Sequence, residues 1–102
     1  MTYHLIIKEE AEKETIEAFV WYECRQQGLG NEFLLQLEEY LNNIVSQPFL
    51  YQKIYKQFRQ VFLKRFPFVI IYEIDANTII VYSIFHTSRN PKKKFRKSND
   101  HE

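Results

Sequence analysis

The spacing of apolar and polar positions changes period twice along the chain. Residues 3–8 contain β-favouring side chains and place Leu5 and Ile7 on one face, which predicts a short strand. Residues 9–27 then follow a helical period. Their apolar stripe consists of Ala11, Thr15, Ala18 and Tyr22, with Ile16, Phe19 and Val20 beside it. Glutamates crowd the first turns, where the helix dipole favours negative charge.

A glycine stop separates this helix from a second one. Gly28-Leu29-Gly30 is predicted to end the first helix, because glycine adopts the left-handed C-cap conformation without steric cost. Asn31 is predicted to cap the second helix, which runs to about residue 47 before Pro48. Its core stripe is formed by Phe33, Leu37, Tyr40, Leu41 and Ile44. The two helices are expected to form a hairpin.

A period of two follows the loop at residues 50–52 and predicts strands at 58–64, 66–74 and 78–85. The links between them are short, and Asn77 is expected to adopt a positive φ in the second one. Short links favour antiparallel neighbours. The order β-α-α-β-β-β therefore predicts an α+β fold in which a helical hairpin packs on a small, mostly antiparallel sheet. We assign residues 1–97 to this single domain and residues 98–102 to a polar, disordered tail.

The composition is typical of one folded domain. Of the 102 residues, 45% are hydrophobic and 17% aromatic, which predicts a core rich in Phe and Tyr. No apolar stretch approaches the roughly 20 residues of a membrane-spanning helix, and the amino end lacks a signal-peptide pattern. Cys24 is the only cysteine, so no internal disulfide can form. A cytoplasmic protein without a membrane partner is expected.

The formal charge of +1 conceals a separation of charge between the two halves. Residues 1–52 contain three basic and nine acidic side chains, whereas residues 53–102 contain eleven basic and four acidic ones. A basic half favours an anionic partner such as nucleic acid or an acidic peptide. The histidines His4, His86 and His101 are far apart in sequence, and no phosphate-binding glycine loop is present, so no metal and no cofactor are expected.

A series of short motifs runs in a fixed order along nearly the whole chain. Each motif is weak alone, and the series is Trp21-Tyr22-Glu23, Gly28-Leu29-Gly30 with Phe33, Pro48, Phe58-Arg59, Arg65-Phe66-Pro67-Phe68 leading into Ile71-Tyr72, His86, and Arg89-Asn90-Pro91 with Arg96. In this order and spacing the chain resembles the RelE/ParE superfamily of toxins from type II toxin-antitoxin systems. Within that superfamily it is most similar to the ParE-like branch.

The resemblance implies a growth-inhibiting toxin that a cognate antitoxin neutralises. Members similar to ParE inhibit DNA gyrase, and members similar to RelE cleave mRNA on the ribosome. A gyrase inhibitor is our principal interpretation, and a RelE-like, ribosome-dependent mRNA endonuclease is the alternative. Because both activities use one fold, the fold cannot decide between them. The chain is an enzyme only under the alternative.

The endonuclease alternative requires an acid or base and cations that stabilise the phosphate oxygens. The candidate catalytic residues are His86, at the end of the last strand, and Arg59, Arg65 and Arg89. A purely structural interpretation is also open for them: the histidine forms a strand-end hydrogen bond, and the arginines tie the sheet to helix carboxylates.

One departure from the RelE-like pattern weakens the endonuclease alternative. The resemblance to RelE implies a tyrosine in the carboxyl-terminal segment, whereas the comparable aromatic residue here is Phe95, which has no hydroxyl to transfer a proton. Tyr72 and Tyr82 lie within predicted strands and are expected to be packing residues.

Two further groups of residues are candidates for binding. The nucleic-acid or target-binding candidates are Lys64, Lys92, Lys93, Lys94, Phe95 and Arg96, although a run of charges is also typical of a solvated face. Trp21 and Leu34, apolar residues on the helices, are candidates for binding the antitoxin by strand addition or by a helix in a groove. The alternative is that these two residues only flank the core.

Overall fold

The computed structural model describes residues 3–88 of the chain. Its elements are β1 (His4–Ile7), α1 (Glu9–Arg25), α2 (Leu29–Ser46), β2 (Lys53–Tyr55), β3 (Phe58–Phe62), β4 (Phe68–Asp75) and β5 (Thr78–His86). The predicted α+β fold with a helical hairpin is confirmed. The short strand β2 is an addition, because sequence analysis left its residues unassigned.

The five strands form one mixed sheet in the order β1-β5-β4-β3-β2. Strands β2 to β5 are antiparallel neighbours, which short links allow, and β1 pairs in parallel with β5. The parallel pair brings Ile7 opposite Val81, and the backbone N–H of Lys8 donates to the carbonyl oxygen of Val81 at 2.9 Å. Beyond this point β1 ends and the chain enters α1.

A β-bulge keeps apolar side chains of β5 on the helix-facing side of the sheet both before and after it. The β4–β5 register shifts between Ile71 and Tyr72, so that one additional residue of β5, Tyr82, lies between two paired positions. Ile79 and Val81 before the bulge and Ile84 after it therefore all belong to the core beneath the helices. Without the bulge, strict alternation would turn Ile84 to the other face.

The core between hairpin and sheet is aromatic at its centre. Tyr22 of α1 and Phe33 of α2 contact Phe66 and Phe68, with ring centroids 5.0–6.2 Å apart. Such tilted and edge-on arrangements stabilise aromatic pairs by about 0.5–1.5 kcal/mol beyond the burial of their surface. The predicted Phe-rich and Tyr-rich core is present. In the described part of the chain, no helix is long and apolar enough to cross a membrane.

The start of α2 differs from the prediction. The helix begins at Leu29, and its N-cap is Gly28 in the left-handed conformation (φ 89°), so the predicted cap at Asn31 is wrong. Gly30 is not part of the stop and lies buried inside α2. A Cβ atom there would approach the carbonyl oxygen of Phe19 to 2.7 Å. Glycine at this position therefore lets the two helices come close together.

The buried face of α1 also differs from the expected stripe. Ala11, Ala18 and Tyr22 are buried as predicted, but Ile16 and Val20 are exposed. A buried glutamate, Glu14, occupies the core-facing side of the helix instead.

The turn between β4 and β5 uses a different residue from the one predicted. Ala76 adopts the positive φ (57°), and the expectation that Asn77 would do so is wrong. The register explains the change, because the strand pairing continues to Asp75 and Thr78 and leaves a two-residue turn in which Ala76 is the first position.

Candidate functional site

A groove of about 420 Å³ lies between α1 and the carboxyl end of β5. Aromatic and aliphatic side chains form its walls, and two carboxylates and a histidine are among its polar groups. The lining residues are Glu14, Glu17, Ala18, Trp21, Tyr22, Phe68, Ile84, Phe85, His86 and Ser88. It therefore brings together two residues predicted from sequence, Trp21 and His86.

Glu14 closes the edge of β5 where β1 no longer covers it. Its side chain is only 7% exposed, and its Oε1 atom accepts hydrogen bonds from the hydroxyl of Ser83 at 2.8 Å and from the backbone N–H of Ile84 at 2.9 Å. A buried carboxylate is stable in a protein when it has such donors. From the sequence, Glu14 was interpreted only as one of the glutamates in the first helical turns, although its spacing from Ala11 and Ala18 puts it on the buried stripe.

His86 lies at the end of β5 on the side of the helices. Its Nδ1 atom is 2.8 Å from the hydroxyl of Ser88 and accepts a hydrogen bond from the backbone N–H of Ser88 at 3.1 Å. Its ring packs edge-on against Phe68, with centroids 5.3 Å apart. This strand-end hydrogen bonding is what the structural interpretation of His86 predicts.

Trp21 forms part of the groove wall and remains 53% exposed. Its ring packs edge-on against Tyr22, and the guanidinium of Arg25 lies 4.0 Å from its centroid, a cation–π arrangement. Burial raises the pKa of the Tyr22 hydroxyl above its usual value. The second antitoxin candidate, Leu34, is half-buried and packs against the core.

Arg59 lies on the helix side of β3, directly opposite Tyr72 of β4. Its Nη1 atom donates a 2.6 Å hydrogen bond to the carbonyl oxygen of Tyr51, and its guanidinium lies 5.2 Å from the centroid of the Phe49 ring. The buried hydroxyl of Tyr72 donates to the carbonyl oxygen of Pro48 at 2.6 Å. Burial raises the pKa of Tyr72 to about 12, against an opposing effect of the nearby Arg59. Arg59 therefore fixes the loop between α2 and β2.

Arg65, in the turn between β3 and β4, forms an ion pair with Glu32 of α2, and its backbone N–H donates to the side chain of Gln36 at 2.8 Å. Lys64 beside it is exposed. Arg59, Arg65 and His86 thus each have a partner of their own in the described structure. The other predicted residues lie outside the described part of the chain: Arg89, Lys92, Lys93, Lys94, Phe95 and Arg96.

The sheet face opposite the helices is apolar across its three longest strands. Phe62 of β3, Val69 of β4 and Phe85 of β5 lie side by side in register. Val69 and Phe85, together with Ile71, form a second buried cluster, against which Ile54 and Phe58 pack. Tyr82 packs edge-on against Phe58, so it is a packing residue as predicted. Within residues 3–88, no three His, Cys, Asp or Glu side chains are grouped as metal ligands would be.

Within residues 3–88, the groove has the features of a binding site. It combines an aromatic wall, two carboxylates and a histidine, and neither Arg59 nor Arg65 is among its lining residues. An apolar groove with a few polar groups is the usual form of a site for a peptide or a small ligand.

Comparison of the fold with solved structures identifies several toxins with the same architecture. The chromosomal ParDE toxin-antitoxin system from P. aeruginosa superposes with a TM-score of 0.73 at 13% identity, over 83% of this chain and 96% of the other. The isolated E. coli RelE toxin gives a TM-score of 0.62 at 20% identity, over 95% and 97%. The RelBE2 toxin-antitoxin complex from Mycobacterium tuberculosis gives 0.61 at 13% identity, over 84% and 99%. At these identities the likeness concerns the fold.

The sequence comparison is more specific. No curated protein sequence is significantly similar to the chain. The family model for the ParE toxin of the type II toxin-antitoxin system parDE matches residues 5–91, which include both helices and every strand except His4, the first residue of β1. The chain therefore belongs to the ParE toxin family of type II toxin-antitoxin systems.

Proposed function

We propose that this toxin inhibits DNA gyrase by binding to it, without cleaving nucleic acid. The observation that carries the proposal is that each candidate catalytic residue in the described chain is bound to a partner within the fold. Arg59 is bound to the carbonyl oxygen of Tyr51, Arg65 to Glu32, and His86 is hydrogen-bonded to Ser88. A nuclease needs its acid, base and cations around one phosphate, whereas an inhibitor that acts by binding needs only a complementary surface.

The apolar second face of the sheet supports the same proposal. The RNA-cleaving members that the chain resembles tend to have basic residues on their central strands. Here the in-register row across β3, β4 and β5 consists of Phe62, Val69 and Phe85. Such a row offers neither a proton donor nor a cation for a phosphorane-like transition state.

Two parallel assays of purified, antitoxin-free protein test the proposal. The first measures supercoiling of plasmid DNA by gyrase, and the second maps an mRNA on translating ribosomes by primer extension. We expect loss of supercoiling with intact mRNA. Codon-positioned cuts with normal supercoiling would overturn the proposal and establish the ribosome-dependent mRNA endonuclease.

A cognate antitoxin is the second proposed partner. Membership of the family supports it, as do the structural neighbours, which come from the ParDE system of P. aeruginosa and from the RelBE2 toxin-antitoxin complex. We assign Trp21 and the groove beside it to antitoxin binding, because Trp21 presents a half-exposed aromatic surface next to an apolar cavity. We assign Leu34 of α2, which is half-buried against the core, to the same antitoxin interface.

Co-expression with the product of the adjacent gene tests this assignment. We expect one stable complex in size-exclusion chromatography, and we expect Trp21→Ala to weaken it at least tenfold, about 1.4 kcal/mol. Ile16→Ala is the matched control, since Ile16 is an exposed apolar residue elsewhere on the same helix. Equal effects of the two substitutions would remove Trp21 from the interface.

A further inference from the structure

An exposed apolar pair and two cations meet at the corner of the molecule where α2 passes into β2. Phe49 and Leu50 are 62% and 64% exposed, among the highest values for large apolar residues in the described chain. The guanidinium of Arg59 lies 5.2 Å from the centroid of the Phe49 ring, and Lys53 is paired with Arg59 across β2 and β3. We propose that this basic corner, formed by Phe49, Leu50, Lys53 and Arg59, binds an acidic peptide segment that carries apolar side chains. The groove beside α1 lies elsewhere, so the proposal does not depend on the functions assigned above.

The loop that presents the two apolar side chains is held by contacts on both sides. The Tyr72 hydroxyl binds the carbonyl oxygen of Pro48, immediately before Phe49, and Arg59 binds the carbonyl oxygen of Tyr51, immediately after Leu50. The guanidinium of Arg59 also lies against the ring of Phe49. A surface that is ordered before binding loses little conformational entropy when a partner docks. The loop is therefore preorganised for an interface.

The charge of the corner specifies the sign of its partner. From residue 40 to residue 59 the sequence contains no acidic residue and three basic ones, Lys53, Lys56 and Arg59. Lys53 and Arg59 occupy directly opposite positions on neighbouring strands. Like charges in such a pair destabilise a sheet, and an anion placed between them removes the repulsion.

The apolar part of the corner favours a peptide over a nucleic acid. Single-stranded nucleic acids bind to aromatic side chains on which bases stack, along a groove of cations that follows the backbone. Leu50, the more exposed of the pair, has no ring on which a base could stack. Lys53 is exposed, and Arg59 keeps guanidinium N–H donors besides the one bound to Tyr51, so this cross-strand pair suits one or two carboxylates.

Fluorescence anisotropy with synthetic probes tests the inference on the full-length protein. The probe is a short, labelled peptide built from Glu, Asp, Leu and Phe, and its two control peptides replace either the acids by their amides or the apolar residues by Ser. We expect binding of the first peptide alone. We expect Leu50→Ser and Lys53→Glu each to weaken it at least about fivefold, as loss of an interface anchor does.

Matched substitutions elsewhere separate this site from nonspecific attraction. Leu35→Ser removes an apolar side chain of α2 that is 66% exposed, and Lys13→Glu reverses an exposed charge on α1; neither should change the affinity. Equal weakening by these controls, or equal binding of the three peptides, would overturn the inference. So would binding of oligothymidylate that depends on Leu50 and Lys53 while the acidic peptide fails to bind.

Discussion

The carboxylate of Glu14, in the middle of α1, accepts a hydrogen bond from the hydroxyl of Ser83 on β5 at 2.8 Å. The same oxygen atom accepts from the backbone N–H of Ile84 at 2.9 Å. Because β1 ends at Ile7, no strand formed by residues 3–88 lies beside this part of β5 on that edge. The helix side chain therefore supplies the acceptor that a neighbouring strand would otherwise provide, and it joins α1 to the last strand at the groove.

Replacing Glu14 should destabilise the fold strongly. Glu14→Ala leaves two buried donors without this acceptor, and each such loss costs about 1–3 kcal/mol. We expect a decrease of about 2–4 kcal/mol in the free energy of unfolding, measured by urea titration followed by circular dichroism. Glu17→Ala is the control, because Glu17 is exposed one turn further along α1 and should change stability by less than about 0.5 kcal/mol. Equal losses would contradict the role of Glu14.

The two glycines should respond differently to alanine. In Gly30→Ala the new Cβ meets the carbonyl oxygen of Phe19 at 2.7 Å, so the helices must move apart at a cost of at least about 2 kcal/mol. Gly28→Ala meets no atom within 4 Å and suffers only from its left-handed backbone, about 1 kcal/mol. Urea unfolding of both variants checks this order. A greater loss in Gly28→Ala would show that the helices can separate easily.

These two positions also show where sequence patterns predict the fold and where they do not. The periods of α1, α2 and the strands are local signals, and they predicted the hairpin and the sheet correctly. The burial of Glu14 and the close approach at Gly30 depend on what packs against them, which no local pattern contains. The same holds for the turn, where strand pairing that continues to Asp75 and Thr78 gives Ala76 the positive φ.

The sequence predicted which residues belong to the candidate site, but not which partners they contact in the fold. His86 and Trp21 could be named from the motif series, and the fold brings both to one groove. Arg59 and Arg65 belong to the same series, but their partners are a backbone carbonyl eight residues away and a helix carboxylate 33 residues away. Which cation is available to a ligand is decided by such tertiary contacts.

The buried hydroxyl of Tyr72 should make stability depend on pH in the alkaline range. Its pKa is raised to about 12 in the folded chain, against about 10 when unfolded. The stability that its neutral form contributes is complete below pH 10 and is lost as the pH rises through 12. Tyr72→Phe lacks this group and its bond to Pro48, a difference of about 1 kcal/mol at neutral pH. Urea unfolding between about pH 8 and 12 should show the difference between wild type and variant shrinking; a constant difference would contradict the prediction.

Substitutions at the candidate catalytic residues test the proposed mechanism of inhibition. If the toxin acts by binding, neither His86→Ala nor Arg65→Ala should abolish growth inhibition. Arg65 forms an exposed ion pair with Glu32, which stabilises the fold by less than about 1 kcal/mol, so its loss should also leave the protein folded. The measurement is colony formation after induced expression, with folding of each variant checked by circular dichroism.

A nuclease would behave differently, because removal of an acid, base or transition-state cation lowers the rate by about 10²–10⁴. Loss of growth inhibition in folded His86→Ala would therefore favour catalysis over binding.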